Sequence, residues 1–408
     1  MSAADHCGDD LPHEAFVVAM SALDGVGPAR LRWLLGFGTP SVVWEKLLAG
    51  ALPTDRRASV AVDEGLLAGW RKAAAQVTPA QWWQRCGQAG VGVVTIGSPA
   101  YPPWLLDDID PPVVLFHRGD PDRVSTMRVG IVGTRRATGY GRRHASIIAG
   151  ELTEAGVSVV SGLALGIDAA AHRGAVEACK AGASANSAAP VAVVGAGLDS
   201  PCPRRNAALA SEVAEHGVLL SEVPPGVRGA PWRFPVRNRV IAAACDALVV
   251  IESAVNGGSM HTVREALRRD RTVLALPGPV DSAVSIGTNG LLTDGAVVCN
   301  GTDDVLTALG HVRPRERGDG EEPSPQQLAL DRLDPERRTR PADGPARQAL
   351  DELGWRPMTV DALAAATGLG VMELAVVLVE LERAGWIARQ GSWVERVAGR
   401  GRSPFGGR

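Results

Sequence analysis

The chain has 408 residues, 42 basic and 45 acidic, for a formal net charge of −3, with 45% hydrophobic and 21% charged residues. At roughly 100 to 200 residues per domain this is two or three domains, which excludes a disulfide-stapled miniprotein, and the composition excludes a chain disordered or fibrous throughout. Cys7, Cys86, Cys179, Cys202, Cys245 and Cys299 stand singly with no C-x-x-C pair, which argues against a zinc cage or secreted disulfide framework and for a reducing cytoplasm.

Residues 1–10 carry Asp5, Asp9 and Asp10 where a secretory signal needs positive charge, and no apolar run approaches the ~18 residues that span a bilayer. Neither export nor membrane anchoring is expected, and this first stretch reads as disordered. Residues 11–89 read as a small helical domain, SAM-like or helix-hairpin-helix-like. Phe16, Val17, Met20 and Leu23 recur at helical spacing, and Leu23-Asp24-Gly25-Val26-Gly27-Pro28 fits the hairpin between two helices. Such a hairpin holds a DNA phosphate in some proteins and is a plain helical turn in more of them.

From residue 90 to 310 short apolar runs alternate with helical stretches, which predicts an α/β domain on a parallel sheet. The runs are 91–96, 113–117, 129–132, 157–160, 191–194, 218–220, 247–251 and 272–276, with helices readable over 140–155, 204–216 and 260–269. Residues 311–344 lose the pattern and read as a flexible linker. Residues 345–397 give three helical stretches and a hairpin, a winged helix, and 398–408 form a disordered basic tail. The candidate recognition helix, 371–383, carries Glu373, Glu380 and Glu382 against Arg383 alone, so a protein contact is expected of it rather than DNA.

Charge is unevenly distributed: residues 128–300 carry 17 basic against 14 acidic groups and form the one folded segment with a positive excess. Within it the strand 129–132 runs into Gly133-Thr134-Arg135 before a helix, where N–H groups and a guanidinium suit a phosphate. Gly139-Tyr140-Gly141 is followed by Arg142-Arg143 rather than a spaced third glycine, so NAD binding is not expected. Ser161-Gly162-Leu163-Ala164-Leu165-Gly166-Ile167-Asp168, with His172, follows the next strand. Asp168 and His172 at i, i+4 read as an acid/base pair or, more plainly, as a helix cap and an internally hydrogen-bonded histidine. Gly197-Leu198-Asp199, Asn206 and Ser221-Glu222 follow later strands. Arg233-Phe234-Pro235-Val236-Arg237-Asn238-Arg239, with Trp232, combines guanidinium groups and flat rings as a single-stranded nucleic acid requires. Glu252-Ser253, Gly258-Ser259, Pro277-Gly278 and Gly287-Thr288-Asn289 complete a series of small-residue loops along one sheet edge.

In this order the motifs closely resemble the DNA-processing protein A family, DprA or Smf, over about residues 90–300. The resemblance implies an extended Rossmann-like, mostly parallel sheet, a homodimer, sequence-independent binding of single-stranded DNA, and loading of RecA recombinase during natural transformation. It implies no catalysis, no cofactor and no metal. The nucleic-acid-binding set expected on this basis is Gly133, Thr134, Arg135, Ser161, Gly162, Asn206, Arg233, Phe234, Arg237, Asn238, Arg239 and Ser259. The family's Tyr-Pro after Gly-Leu-Asp is Cys202-Pro203 here, so that either binding is weaker or Trp232 and Phe234 supply the stacking. One rival is a nucleotide or nucleoside hydrolase using Glu222, Glu252, Asp168 or His172. Its Pro-Gly-Gly-x-Gly-Thr-x-x-Glu motif is departed from here, where residues 256–265 lack the Pro and third Gly. The other rival is a winged-helix transcription factor, against which the acidic recognition helix speaks.

Overall fold

The computed structural model describes residues 11–57, 60–182, 187–200, 203–310, 344–353, 358–383, 386–390 and 393–396. The expected disordered ends, nearly all of the linker, and Cys202 lie outside the described residues. The chain divides into two compact units, Met1–Glu322 and Pro323–Arg408.

In the first unit five helices, α1 (His13–Ser21), α2 (Pro28–Leu35), α3 (Pro40–Ala49), α4 (Glu64–Ala74) and α5 (Pro79–Gln88), precede the sheet. Proline starts α2, α3 and α5, where a missing N–H costs nothing. The α1–α2 hairpin turns at Gly25, whose φ of +72° suits glycine.

Nine strands follow: β1 (Gly92–Thr95), β2 (Val114–Gly119), β3 (Arg128–Val132), β4 (Ser158–Ser161), β5 (Val191–Val194), β6 (Val218–Ser221), β7 (Ala247–Val250), β8 (Thr272–Ala275) and β9 (Val297–Val298). They lie in the order β1-β2-β6-β5-β4-β3-β7-β8-β9. From β6 to β9 every pairing is parallel, whereas β1, β2 and β6 pair antiparallel. β2 therefore runs against the rest of the sheet, while β1, antiparallel to β2, runs in the same direction as β6. Residues 96–113, which carry the four-residue helix α6 (Pro103–Leu106), connect β1 and β2.

The helices α7 (Gly139–Glu154), α8 (Ile167–Ala181), α9 (Ala207–His216), α10 (Arg233–Ala243), α11 (Ser259–Leu267), α12 (Ile286–Thr293) and α13 (Thr302–Gly310) connect or follow the strands. Strands β3 to β7 are buried along their whole length, because helices cover both faces. Alternate residues divide between two cores. Val129, Ile131, Val159 and Val249 pack with α7, α8 and α13, while Val160, Val193, Leu220, Leu248 and Val250 pack with α10 and α11. After running outward from β3 to β6, the chain returns across β3 to start β7. The β3/β7 boundary is thus a topological switch point, the place where an open parallel sheet binds ligands.

The segment before β2 is held by ions. Asp108 meets the Arg269 Nε at 2.8 Å with both side chains almost wholly buried, and Asp110 takes Arg32 and Arg239. One acidic loop thus ties α2, α10 and the end of α11 together.

The second unit comprises α14 (Pro345–Leu353), α15 (Val360–Thr367) and α16 (Val371–Arg383), with β10 (Met358–Thr359), β11 (Ile387–Gln390) and β12 (Trp393–Arg396) in the antiparallel order β10-β12-β11. Leu350, Leu363, Leu374, Leu378, Trp386 and Val394 form its core. This is the winged helix expected from the sequence, with β10 as an added short strand. Among the described residues no single helix is long and apolar enough to cross a membrane.

Candidate nucleic-acid interface

The carboxyl ends of β3, β4 and β5 and the start of α10 meet in one cradle. Its floor is made of backbone, which is why glycines recur. A Cβ on Gly133 would lie 2.6 Å from Ile167, one on Gly166 would lie 2.3 Å from the Thr134 carbonyl, and one on Gly162 would overlap the Arg237 guanidinium. Gly166 also needs its φ of +85°. The β3 and β4 loops are therefore locked together, with the Thr134 N–H bonded to the Glu252 carbonyl at 2.7 Å and the Ile167 N–H to the Thr134 carbonyl at 3.3 Å.

Side chains predicted for the site divide into those that support these loops and those that face outward. Ser161 donates its hydroxyl to the Ile131 carbonyl at 2.6 Å, and the Asn206 amide donates to the carbonyls of Leu163 and Ala164 at 2.8 and 3.3 Å. Both are buried. Leu163 is held at a φ of +55°, a backbone conformation costly for a branched side chain, and the two Asn206 bonds offset that cost. Arg135 is exposed, and its guanidinium carbon lies 5.3 Å from the centroid of the half-buried Phe234 ring. Phe234 in turn lies against Gly195 at the end of β5. A second pair stands beside it, Arg233 over the Trp232 ring at 4.8 Å, with Trp232 46% exposed. Trp232 also packs 3.6 Å from the position of a Cβ on Gly27, so the α1–α2 hairpin packs beside it.

The expectation that Arg237-Asn238-Arg239 lines the surface with guanidinium groups is corrected by the structure. Helical periodicity turns Arg237 inward, where it donates to the Val193 carbonyl at 2.6 Å beneath Gly162. Burial pushes it down to about 10, against the pull of the Asp168 carboxylate, so it stays a cation at neutral pH. Arg239 is turned away from the cradle, paired with Glu222 and Asp110. Burial disfavours its charge, but those carboxylates outweigh it and hold its pKa up. Asn238 reaches the Gly258 carbonyl at 3.4 Å, and Ser259 is buried against the Ser253 hydroxyl at 2.7 Å. Asn238, on α10, thus reaches the loop between β7 and α11, and Ser259 opens α11. The sequence signal for all four was arginine or small-residue density, which does not distinguish the inner from the outer face of a helix start.

The candidate acid and base groups are engaged internally. Glu222 pairs with Arg239 and Glu252 with Thr138. Asp168 is buried and accepts from the Ala164 N–H at 3.4 Å, as a first-turn carboxylate does. His172 has no exposed surface, and the Ser161 backbone beside its ring favours the charged form less than burial opposes it. Burial pushes this ring down to about 4 from 6.5. In the unfolded chain it protonates first as the pH falls, so its contribution is present above pH 6.5 and is lost toward pH 4. Between pH 7 and pH 5 the loss is expected to be about 2 kcal/mol. Urea unfolding of wild type and His172→Phe at both pH values checks this; equal losses in the two proteins would refute it.

The chain is similar to known proteins in sequence and fold. The family model of DNA recombination-mediator protein A matches residues 92–310, and that of the DprA winged helix domain matches 334–391. A putative DNA processing protein DprA of Mycobacterium tuberculosis is 38% identical over 296 residues, 72% of this chain and 71% of that protein. Protein Smf of Escherichia coli is 34% identical over 301 residues, 72% of this chain and 75% of its own. The crystal structure of DNA processing protein A from Streptococcus pneumoniae is similar at a TM-score of 0.58 and 27% identity, covering 72% of this chain and 96% of that one. With the family model spanning more than half of the chain, the protein belongs to the DNA recombination-mediator protein A family, DprA.

Proposed function

We propose that this protein binds single-stranded DNA without sequence preference and without catalysis, protects it, and passes it to RecA recombinase during transformation or recombination. The observation that carries this reading is the exposed Arg135 guanidinium over the Phe234 ring, on a floor of glycine backbone. A cation supplies the phosphate contact and a ring face the base stack, the two elements a sequence-tolerant single-strand site combines. Internal engagement of Glu222, Glu252, Asp168 and His172 leaves no acid and base facing one another across a ligand, which favours binding over hydrolysis. Family membership supports the recombination context. Association of two identical chains is supported by the β9 side of the sheet, where Val297 and Val298 are exposed at the edge and Val280 and Ile286 are exposed nearby in sequence.

Fluorescence anisotropy with a labelled strand of ~30 nucleotides and its duplex, at two salt concentrations, tests the central claim. Tight, salt-sensitive, strand-selective binding is the expected result. Absence of single-strand binding at low salt would overturn it, and release of base from nucleoside monophosphates would establish the hydrolase instead.

The winged helix is assigned a protein contact. On α16, Met372, Val376 and Val379 are exposed at i, i+4 and i+7 beside the exposed Glu373 and Glu380. An apolar stripe with carboxylates suits a protein surface and repels phosphate. Removing residues 345–397 while keeping the basic segment 398–408 is expected to leave single-strand affinity within about twofold, since the acidic helix opposes phosphate. A loss as large as that of Arg135→Ala would refute the assignment.

A further inference from the structure

The switch point itself is occupied by the protein. In open parallel sheets a ligand phosphate at this position sits on the N-terminal N–H groups of the helix that follows the strand. Here that helix is α7, capped by Thr138, and the group on its N-terminus is the Glu252 carboxylate from the end of β7. Glu252 is 3% exposed. It accepts the Thr138 N–H at 2.9 Å and the Thr138 hydroxyl, which itself accepts from the Gly141 N–H at 3.1 Å. A Cβ at position 141 would lie 2.4 Å from the carboxylate, so the glycine there makes room for Glu252. The Glu252 carbonyl is fixed in turn by the Thr134 N–H. Beside it a cleft of about 570 Å³ opens between Tyr140, Pro277 and Ser285, large enough for a small ligand but with this carboxylate in its wall.

We propose that Glu252 is a specificity-determining residue: its carboxylate fills the phosphate position at the switch point, refuses free phosphate and mononucleotides there, and leaves phosphate binding to the cradle at β3, β4 and β5. The Thr138 and Gly141 N–H groups and the Thr138 hydroxyl are already engaged, and the charge repels a second anion. This inference rests on the single-strand reading only for where phosphate binds instead, and the test below reads the switch point alone.

The full chain carrying Arg135→Ala, which removes the exposed guanidinium of the cradle, serves as the background, alone and with Glu252→Ala or Glu252→Gln. Each protein is titrated with inorganic phosphate and with adenosine monophosphate, followed by ligand-observed NMR and by the shift in melting temperature. The Glu252-bearing protein is expected to show no saturable binding up to about 10 mM, and Glu252→Ala to bind at least about tenfold more tightly. Glu252→Gln keeps the volume and a carbonyl acceptor for Thr138 but removes the charge, so it also gains binding and covers the case in which the alanine variant fails to fold. Saturable binding by the Glu252-bearing protein equal to that of a folded variant would overturn the proposal. So would a folded Glu252→Gln that gains nothing.

Discussion

Arg135→Ala is expected to weaken single-strand binding about ten- to a hundredfold and to flatten its salt dependence by close to one phosphate contact. The guanidinium is the exposed cation of the cradle, and a charge-assisted bond to a phosphate oxygen is worth more than a neutral one. Its place over Phe234 also orders the side chain before DNA arrives, so the substitution loses orientation as well as charge. Phe234→Ala separates the two contributions. It removes a stacking face worth roughly 1–3 kcal/mol per base while leaving the phosphate contact, so affinity falls with the salt slope unchanged. Anisotropy titrations over a range of salt resolve the pair: parallel log–log lines for Phe234→Ala and a shallower line for Arg135→Ala. Wild-type affinity in Arg135→Ala would place the DNA elsewhere on the molecule.

The second large effect concerns stability. Asp108→Ala is expected to cost about 3–5 kcal/mol, because it leaves the Arg269 guanidinium buried with the partly exposed Glu265 as its remaining carboxylate partner. Asp108 also accepts the Asp110 N–H at 2.8 Å, so the loop that engages Arg32 and Arg239 loosens with it. The double substitution Asp108→Leu with Arg269→Met removes both charges and is expected to recover most of the loss, since a buried ion pair replaced by apolar groups is often near neutral. Urea midpoints of the single and double variants distinguish the cases. A single variant as stable as wild type would show that the pair contributes little.

The parallel sheet was legible because strands buried on both faces read as continuous Val, Ile and Leu runs, and β3 to β8 lie close to the expected positions. β9 was missed because a two-residue strand leaves no periodicity. The reversed sense of β2 was not legible, because apolar runs carry no direction and the segment 96–113 is long enough for either sense. Arg135 and Phe234 were singled out by residue type, an arginine in a Gly-Thr-Arg turn and a phenylalanine between arginines, and the fold places them side by side. The inward turn of Arg237 and Arg239 could not be read this way. Their partners, Val193, Asp110 and Glu222, come from distant parts of the chain, and only the folded sheet brings a carbonyl and two carboxylates to them. Glu252 was visible as a candidate acid. Its role as an internal anion required the juxtaposition of β7 with the start of α7.

The cradle joins loops that lie about a hundred residues apart, Arg135 after β3 and Phe234 at the start of α10, and the buried sheet is what connects them. No local lid or separable segment carries both groups, so the site exists only while the sheet is intact. On the proposed function a bound strand would therefore act as a thermodynamic clamp on the global unfolding equilibrium. At a free concentration a hundred times Kd it adds about 2.7 kcal/mol to the stability of the intact fold. Melting curves would move as a single transition, and hydrogen exchange would slow at β3 and β5 together.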